Sequence, residues 1–161
     1  MSDIQRHRSG PGLIREYPVD ASVAMEIGDL CFVDTDDVKP AGYIPLGTTA
    51  ALTQDAFHDL FIGVAASAHD ANDTKVTKAR IITPSPDDVF EFDCVSAAYN
   101  IGTLVGIATT GASLPQPQKL TSVGSEGTAV GYVDGQYPAG TTKIMVRLFP
   151  TKLGGGPQTP S

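Results

Sequence analysis

Three neighbouring residues, Ser67, His69 and Asp70, carry the side-chain types of a hydrolase triad. In a working triad the nucleophile, the base and the orienting acid converge from separate elements, so residues this close along the chain do not fit. Ser125 lies in a Gly-Ser-Glu-Gly turn with no base placed beside it, and such a serine is not activated. We therefore expect that this protein is not an enzyme.

The residue types that bind metals do not show ligand spacing. His7, His58 and His69 fall in a polar leader, a predicted helix and a predicted loop, and no Cys-x-x-Cys or phosphate-binding glycine motif occurs. The acidic run at 34–37 could hold Ca²⁺, but it lacks the spacing of a calcium-binding loop, and an acidic surface turn is the favoured interpretation. The sequence predicts no metal and no cofactor.

Composition favours a mainly β domain with one core. The chain has 161 residues, of which 41% are hydrophobic and only 18% charged, and it contains 17 glycines and 12 prolines. Frequent glycine and proline favour short strands and tight turns over long helices. Cys31 and Cys94 are expected to be buried thiols inside strands, and the sequence leaves open whether they pair.

The charge excludes some classes of partner. A net charge of −7 disfavours nucleic acid and anionic membranes, and no window of the sequence has the length and apolarity of a membrane span. The leader shows no signal peptide, so we expect synthesis in the cytoplasm. The basic residues near the end, Lys143, Arg147 and Lys152, would suit docking onto an acidic protein, although ordinary surface charge explains them as well.

The clearest element is a strand at 89–95. Phe90, Phe92 and Cys94 share one face and two acidic residues share the other, which is the period of a strand with one buried face. A polar break at 96–100 precedes a second strand at 104–107. The segment 26–31 aligns with 100–105, so the chain is interpreted either as two related β units or as a chance recurrence of short glycine motifs.

One helix is predicted at 54–60. Thr53 would cap its start, Leu52 and Phe57 would form a hydrophobic staple, and Phe57, Leu60 and Phe61 share a face, leaving His58 in solvent. The other expected elements are a pair of strands within 23–33, single strands at 61–65, 75–83, 120–123, 128–133 and 143–149, and a surface loop at 111–118.

Several motifs, in this order, resemble a family of tailed-bacteriophage capsid decoration, or cement, proteins. They are Glu-Ile-Gly-Asp-Leu at 26–30, the helix leading into Phe-Ile-Gly-Val-Ala at 61–65, Phe-Glu-Phe-Asp-Cys at 90–94, and Ile-Gly-Thr-Leu-Val-Gly at 101–106. The resemblance implies a compact β-barrel or β-sandwich-like domain of short strands with one short α-helix. It also implies a homotrimer that binds the major capsid protein on the outer surface of the virion and bridges neighbouring capsomers.

The sequence predicts three regions: an extended N-terminal arm at 1–18, a single β-rich domain at 19–150, and a Gly/Pro-rich tail at 151–161 that is flexible by composition. The resemblance implies that the middle region is the decoration domain, and the tail is a departure from the family. An arm can add a strand to an exposed sheet edge and bring cations to an acidic surface. The residues expected to bind the capsid in this way are Ile4, Arg6, Arg8, Leu13, Ile14, Arg15 and Tyr17.

Three alternatives stay open. A tail-tube or head-completion protein would form rings instead of separate surface positions. A receptor-binding or carbohydrate-binding β module would be expected to expose aromatic platforms, and the chain has no tryptophan. A small hydrolase would need titratable side chains clustered in a deep pocket.

Overall fold

A computed structural model of the chain describes residues 5–111 and 113–152. Strands account for 48% of the structure and helix for 12%, which confirms the mainly β prediction. The strands are β1 (His7–Ser9), β2 (Ile14–Pro18), β3 (Leu30–Asp34), β4 (Asp37–Pro40), β5 (Phe61–Ala65), β6 (Lys78–Ile82), β7 (Val89–Tyr99), β8 (Leu104–Thr110), β9 (Leu114–Ser122), β10 (Gly131–Val133) and β11 (Tyr137–Leu148). The helix α1 spans Ala50–Leu60, and two 3-10 turns span Ala41–Tyr43 and Glu126–Thr128.

The second half of the chain closes into a five-stranded barrel. Its strands follow the order β7, β11, β10, β8 and β9, and parallel pairing of Asp93 with Lys119 joins β7 to β9. Strand β1 pairs with β7 outside the ring. The predicted barrel with one short helix is therefore confirmed.

The first half forms an antiparallel sheet in the order β2, β6, β5, β3 and β4. Both faces of its central strand β5 are covered. Phe61 and Val64 of β5 join the core of the barrel, whereas Ile62 and Ala65 belong to a second, smaller core. Burial on both faces explains why β5 is a continuous apolar run without alternation.

The buried face predicted for β7 is confirmed, since Phe90, Phe92 and Cys94 are all buried in the barrel core. Cys31 and Cys94 are buried free thiols. The predicted break at 96–100 is wrong, because β7 continues to Tyr99 along its long antiparallel partner β11.

The start of the helix differs from the prediction. Thr49, not Thr53, is the N-cap, and its hydroxyl accepts a hydrogen bond from the Leu52 N–H at 3.3 Å. Thr53 is buried, and its hydroxyl accepts from the Gly47 N–H instead. Leu52 is exposed and does not form the expected staple, whereas Phe57 is fully buried. The cap was misplaced because two threonines four residues apart satisfy the same local rule.

The loop predicted at 111–118 is also wrong, because β9 begins at Leu114 and contains Pro115 and Pro117. These prolines lie where β9 has β8 on one side only, since its pairing with β7 is recorded at Lys119 and Leu120. Proline is tolerated at such an edge position. Strand bounds differ elsewhere: the segment 23–33 contributes only β3, 75–83 contributes β6, and 128–133 contributes β10 after a 3-10 turn.

Candidate binding edge at the N-terminal segment

The N-terminal segment predicted to be a separate arm is part of both sheets. Strand β1 pairs with β7 of the barrel, and β2 pairs with β6 along all five of its residues, from Ile14 with Ile82 to Pro18 with Lys78. The structural boundary expected at residue 18 is therefore absent from the part of the segment that the structure describes. Of the expected capsid-binding residues, Ile4 lies outside the described residues.

Arg6 points into the protein and is only 2% exposed. Its Nη2 atom donates to Gln118 Oε1 at 2.9 Å and to Asp93 Oδ2 at 3.3 Å, and the guanidinium lies 5.2 Å from the ring centre of Phe92. Sequence reasoning placed this arginine on a surface because nothing local distinguishes it from Arg8. Because it is buried, Arg6 cannot contact an acidic surface of another protein in this structure.

The polar contacts of Arg6 continue into the first sheet. Gln118 Nε2 donates to Asp29 Oδ1 at 2.9 Å, and the other carboxylate oxygen of Asp29 accepts from the Glu26 N–H. Burial raises the pKa of Asp29. Gln118 and Asp29 are buried, so this chain of contacts joins the N-terminal segment, the barrel and the first sheet. The sequence carried no signal for it.

Side-chain contacts hold strand β1 in place. Arg8 contacts Glu91 at 3.1 Å, and His7 Nε2 lies 3.0 Å from Asp88 Oδ1. Asp88 is buried, which opposes its charge, but hydrogen bonds from Ser85, Gly12 and His7 outweigh this and lower its pKa. The arginine expected to meet a capsid at position 8 is therefore already paired.

Strand β2 is the part of the segment that remains available. Leu13 is 52% exposed and Ile14 49% exposed, Arg15 is exposed, and Tyr17 is half-buried against the second core. Among the described residues, no ion pair is recorded for Arg15.

The backbone of β2 has an open outer side. The Leu13 carbonyl accepts from Thr83 and the Val19 N–H donates to Thr77, so the odd-numbered residues of β2 bond to β6. In an antiparallel ladder the alternate residues then direct their N–H and C=O groups outward. These are Ile14 and Glu16. Strand β2 also approaches β4, without pairing with it. We call the outward backbone of Ile14–Glu16, with the Leu13 and Ile14 side chains, the β2 edge.

No protein-family model and no curated protein matches this chain. Within residues 5–111 and 113–152, no group of three or more His, Cys, Asp or Glu side chains is arranged to hold a metal ion. The acidic run at 34–37 is the turn joining β3 to β4, where Asp34 pairs with Lys39. No helix within these described residues has the length and apolarity needed to cross a membrane.

Sequence reasoning missed the environments of two histidines. His58 is half-buried, and its Nδ1 donates to the Ala129 carbonyl. His69 is buried between two carbonyl oxygens, with Nδ1 2.6 Å from Val23 O and Nε2 2.9 Å from Val76 O. Carbonyls only accept, so both ring nitrogens of His69 carry hydrogen, and this contact favours the charged imidazolium.

We expect His69 to make stability dependent on pH. Burial opposes its charge, but the hydrogen bonds to Val23 and Val76, with Asp73 and Asp70 nearby, outweigh this and raise its pKa. A raised folded-state pKa stabilises the protein fully below the unfolded value of about 6.5, and the contribution is lost as pH rises through the folded value. In urea unfolding between about pH 5 and 9, the free energy of unfolding of the wild type should exceed that of His69→Gln by the largest amount at low pH. A difference that grows with pH would contradict this assignment.

Proposed function

We propose that this protein is a structural virion protein that binds the outer surface of a phage capsid and stabilises the shell by bridging neighbouring capsomers. The observation that carries the proposal is the β2 edge, an open strand edge with exposed apolar side chains on a body of two sheets that share one core. The motifs that resemble capsid decoration proteins support the same function.

Strand addition is the binding mode that this geometry favours. Unpaired backbone groups at a sheet edge accept a further strand, and side chains on either side of that edge select its sequence. An exposed edge is a hazard for aggregation unless it is short, charged or covered. Here the open stretch is three residues long and carries Arg15 and Glu16, so it suits a specific partner segment more than self-association. Repetition over a symmetric shell would make such small contacts additive.

The sharpest test uses Glu16, because its N–H points outward. Glu16→Pro removes that donor and blocks strand addition while leaving the ladder to β6 intact, since proline is compatible with an edge strand whose N–H faces solvent. We expect its affinity for undecorated, expanded heads of the cognate phage to fall about tenfold or more, measured by co-pelleting. Glu16→Ala, which keeps the N–H, should bind like wild type.

Cryo-electron microscopy of the decorated heads provides the second readout. Extra density at regular lattice positions, in heads that resist heat better, would support cementing, and its symmetry would test the expected trimer. Wild-type protein that does not bind heads would refute the proposed function. If the wild type binds heads and Glu16→Pro binds them equally well, the β2 edge is not part of the binding mechanism.

A further inference from the structure

A second surface site lies at the other half of the chain, where the end of α1 meets β8, β10 and the segment after β11. It is a cavity of about 320 Å³ whose walls are mostly apolar. The side chains that carry the argument are His58, Leu104, Glu126, Tyr132 and Phe149, and we call this cavity the aromatic pocket. None of these residues belongs to the β2 edge.

Two aromatic rings form one wall of the aromatic pocket. The ring centres of Tyr132 and Phe149 are 5.2 Å apart and the planes are inclined by 32°. Phe149 is 38% exposed, which is unusual for a phenylalanine beside a barrel core, and Tyr132 is half-buried. Exposed aromatic faces attract flat cations, which stack on them.

Two side chains of the aromatic pocket, those of His58 and Glu126, can accept hydrogen bonds. The Nδ1–H of His58 donates to the Ala129 carbonyl, and the tautomer that carries its hydrogen on Nδ1 has an acceptor at Nε2. Glu126 adds an exposed carboxylate at the rim. Among the described residues that line the cavity there is no lysine and no arginine. Arg147, the cross-strand neighbour of Tyr132, already pairs with Asp134.

We propose that the aromatic pocket binds the guanidinium group of an arginine side chain presented by a partner protein. A guanidinium is planar, stacks on an aromatic face, pairs with a carboxylate and donates to further acceptors in its plane. Tyr132 with Phe149, Glu126 and His58 supply these three interactions. The proposal does not depend on the proposed function, since it concerns a different surface.

The test is an NMR titration of ¹⁵N-labelled protein with acetyl-arginine amide, compared with acetyl-citrulline amide, which has nearly the same shape but no charge. We expect saturable shifts at residues 126–132 and 149–151 with the arginine compound only. Glu126→Gln and Phe149→Ala should each weaken binding by at least about fivefold. The amide spectrum of each variant establishes that it is folded.

Glu16→Gln serves as the matched control, because it removes one exposed negative charge from a residue that does not line the aromatic pocket. If it weakens binding as much as Glu126→Gln does, the arginine compound is merely attracted by a protein of net charge −7, and the proposal is overturned. Equal shifts with the citrulline compound would overturn it as well. If the wild-type protein self-associates and Glu126→Gln abolishes that association, the arginine comes from a second copy of this chain. That result would overturn the proposal that a different protein presents it.

Discussion

Arg6→Ala is expected to lower the free energy of unfolding by about 3 kcal/mol, the cost of removing one member of a buried charged network. The substitution removes the hydrogen bonds that Arg6 donates to Gln118 Oε1 and to Asp93 Oδ2, and it empties the space over the Phe92 ring. A buried acceptor that loses its donor costs more than the net gain from forming the bond. Urea unfolding followed by circular dichroism measures the change.

Arg8→Ala is the matched control, two residues further along the chain on strand β1. Arg8 pairs with Glu91 at the surface, with both side chains about one-third exposed, so its loss should cost at most about 1 kcal/mol. Similar destabilisation by the two substitutions would contradict the structural role assigned to Arg6. The pair also tests whether the segment is held in place, because an arm that detaches to bind a capsid would have to break the Arg6 contacts first.

Gly63→Ala is expected to destabilise the protein by about 4 kcal/mol or more, which would leave little of the stability of an ordinary domain. Gly63 lies in β5 between both cores, and a Cβ atom there would come within 2.1 Å of the Ile82 carbonyl oxygen and 3.0 Å of Ile81 Cγ2. Both contacts are with the neighbouring strand β6, so the backbone would have to move. Close-packed interiors do not accommodate such an atom without a shift of strands.

Gly124→Ala provides the comparison, because no atom lies within 4 Å of the added Cβ. Gly124→Ala should change the free energy of unfolding by no more than about 0.5 kcal/mol. Thermal melting of the soluble protein compares the two variants, and accumulation of Gly63→Ala in the insoluble fraction would agree with the expected loss. A Gly63→Ala protein that melts near wild type would show that β5 and β6 can separate without penalty.

Local patterns were sufficient for the elements with strong periodicity. Phe90, Phe92 and Cys94 alternate with acidic residues, and that alternation alone predicted both the strand and its buried face. The continuous apolar run of β5 and the presence of one helix were also predictable. The cap at Thr49 and the extension of β7 to Tyr99 were not, because a competing threonine and a polar stretch satisfied the local rules equally well.

The candidate binding edge was predicted only in part. A short β-forming segment with cations suits an edge, which predicts a binding role for Leu13, Ile14, Arg15 and Tyr17. The structure places the last three on β2 and Leu13 directly before it. Arg6 and Arg8 carried the same signal, yet one is buried and the other is paired with Glu91. Neither local pattern nor composition reports which cation faces inward, since that depends on Gln118 and Asp93, far away in the sequence.

Composition and periodicity by themselves determined a mainly β chain with one helix and buried thiols, because short-range alternation and turn residues act within a few positions. The tertiary structure alone decided how the strands divide into a barrel and a sheet, that the N-terminal segment joins both, and which side of β2 stays open. Those features depend on pairings between residues far apart along the chain, such as His7 with Phe90 and Ile14 with Ile82. Pairing partners are selected by the packing of the whole core, which no single segment encodes.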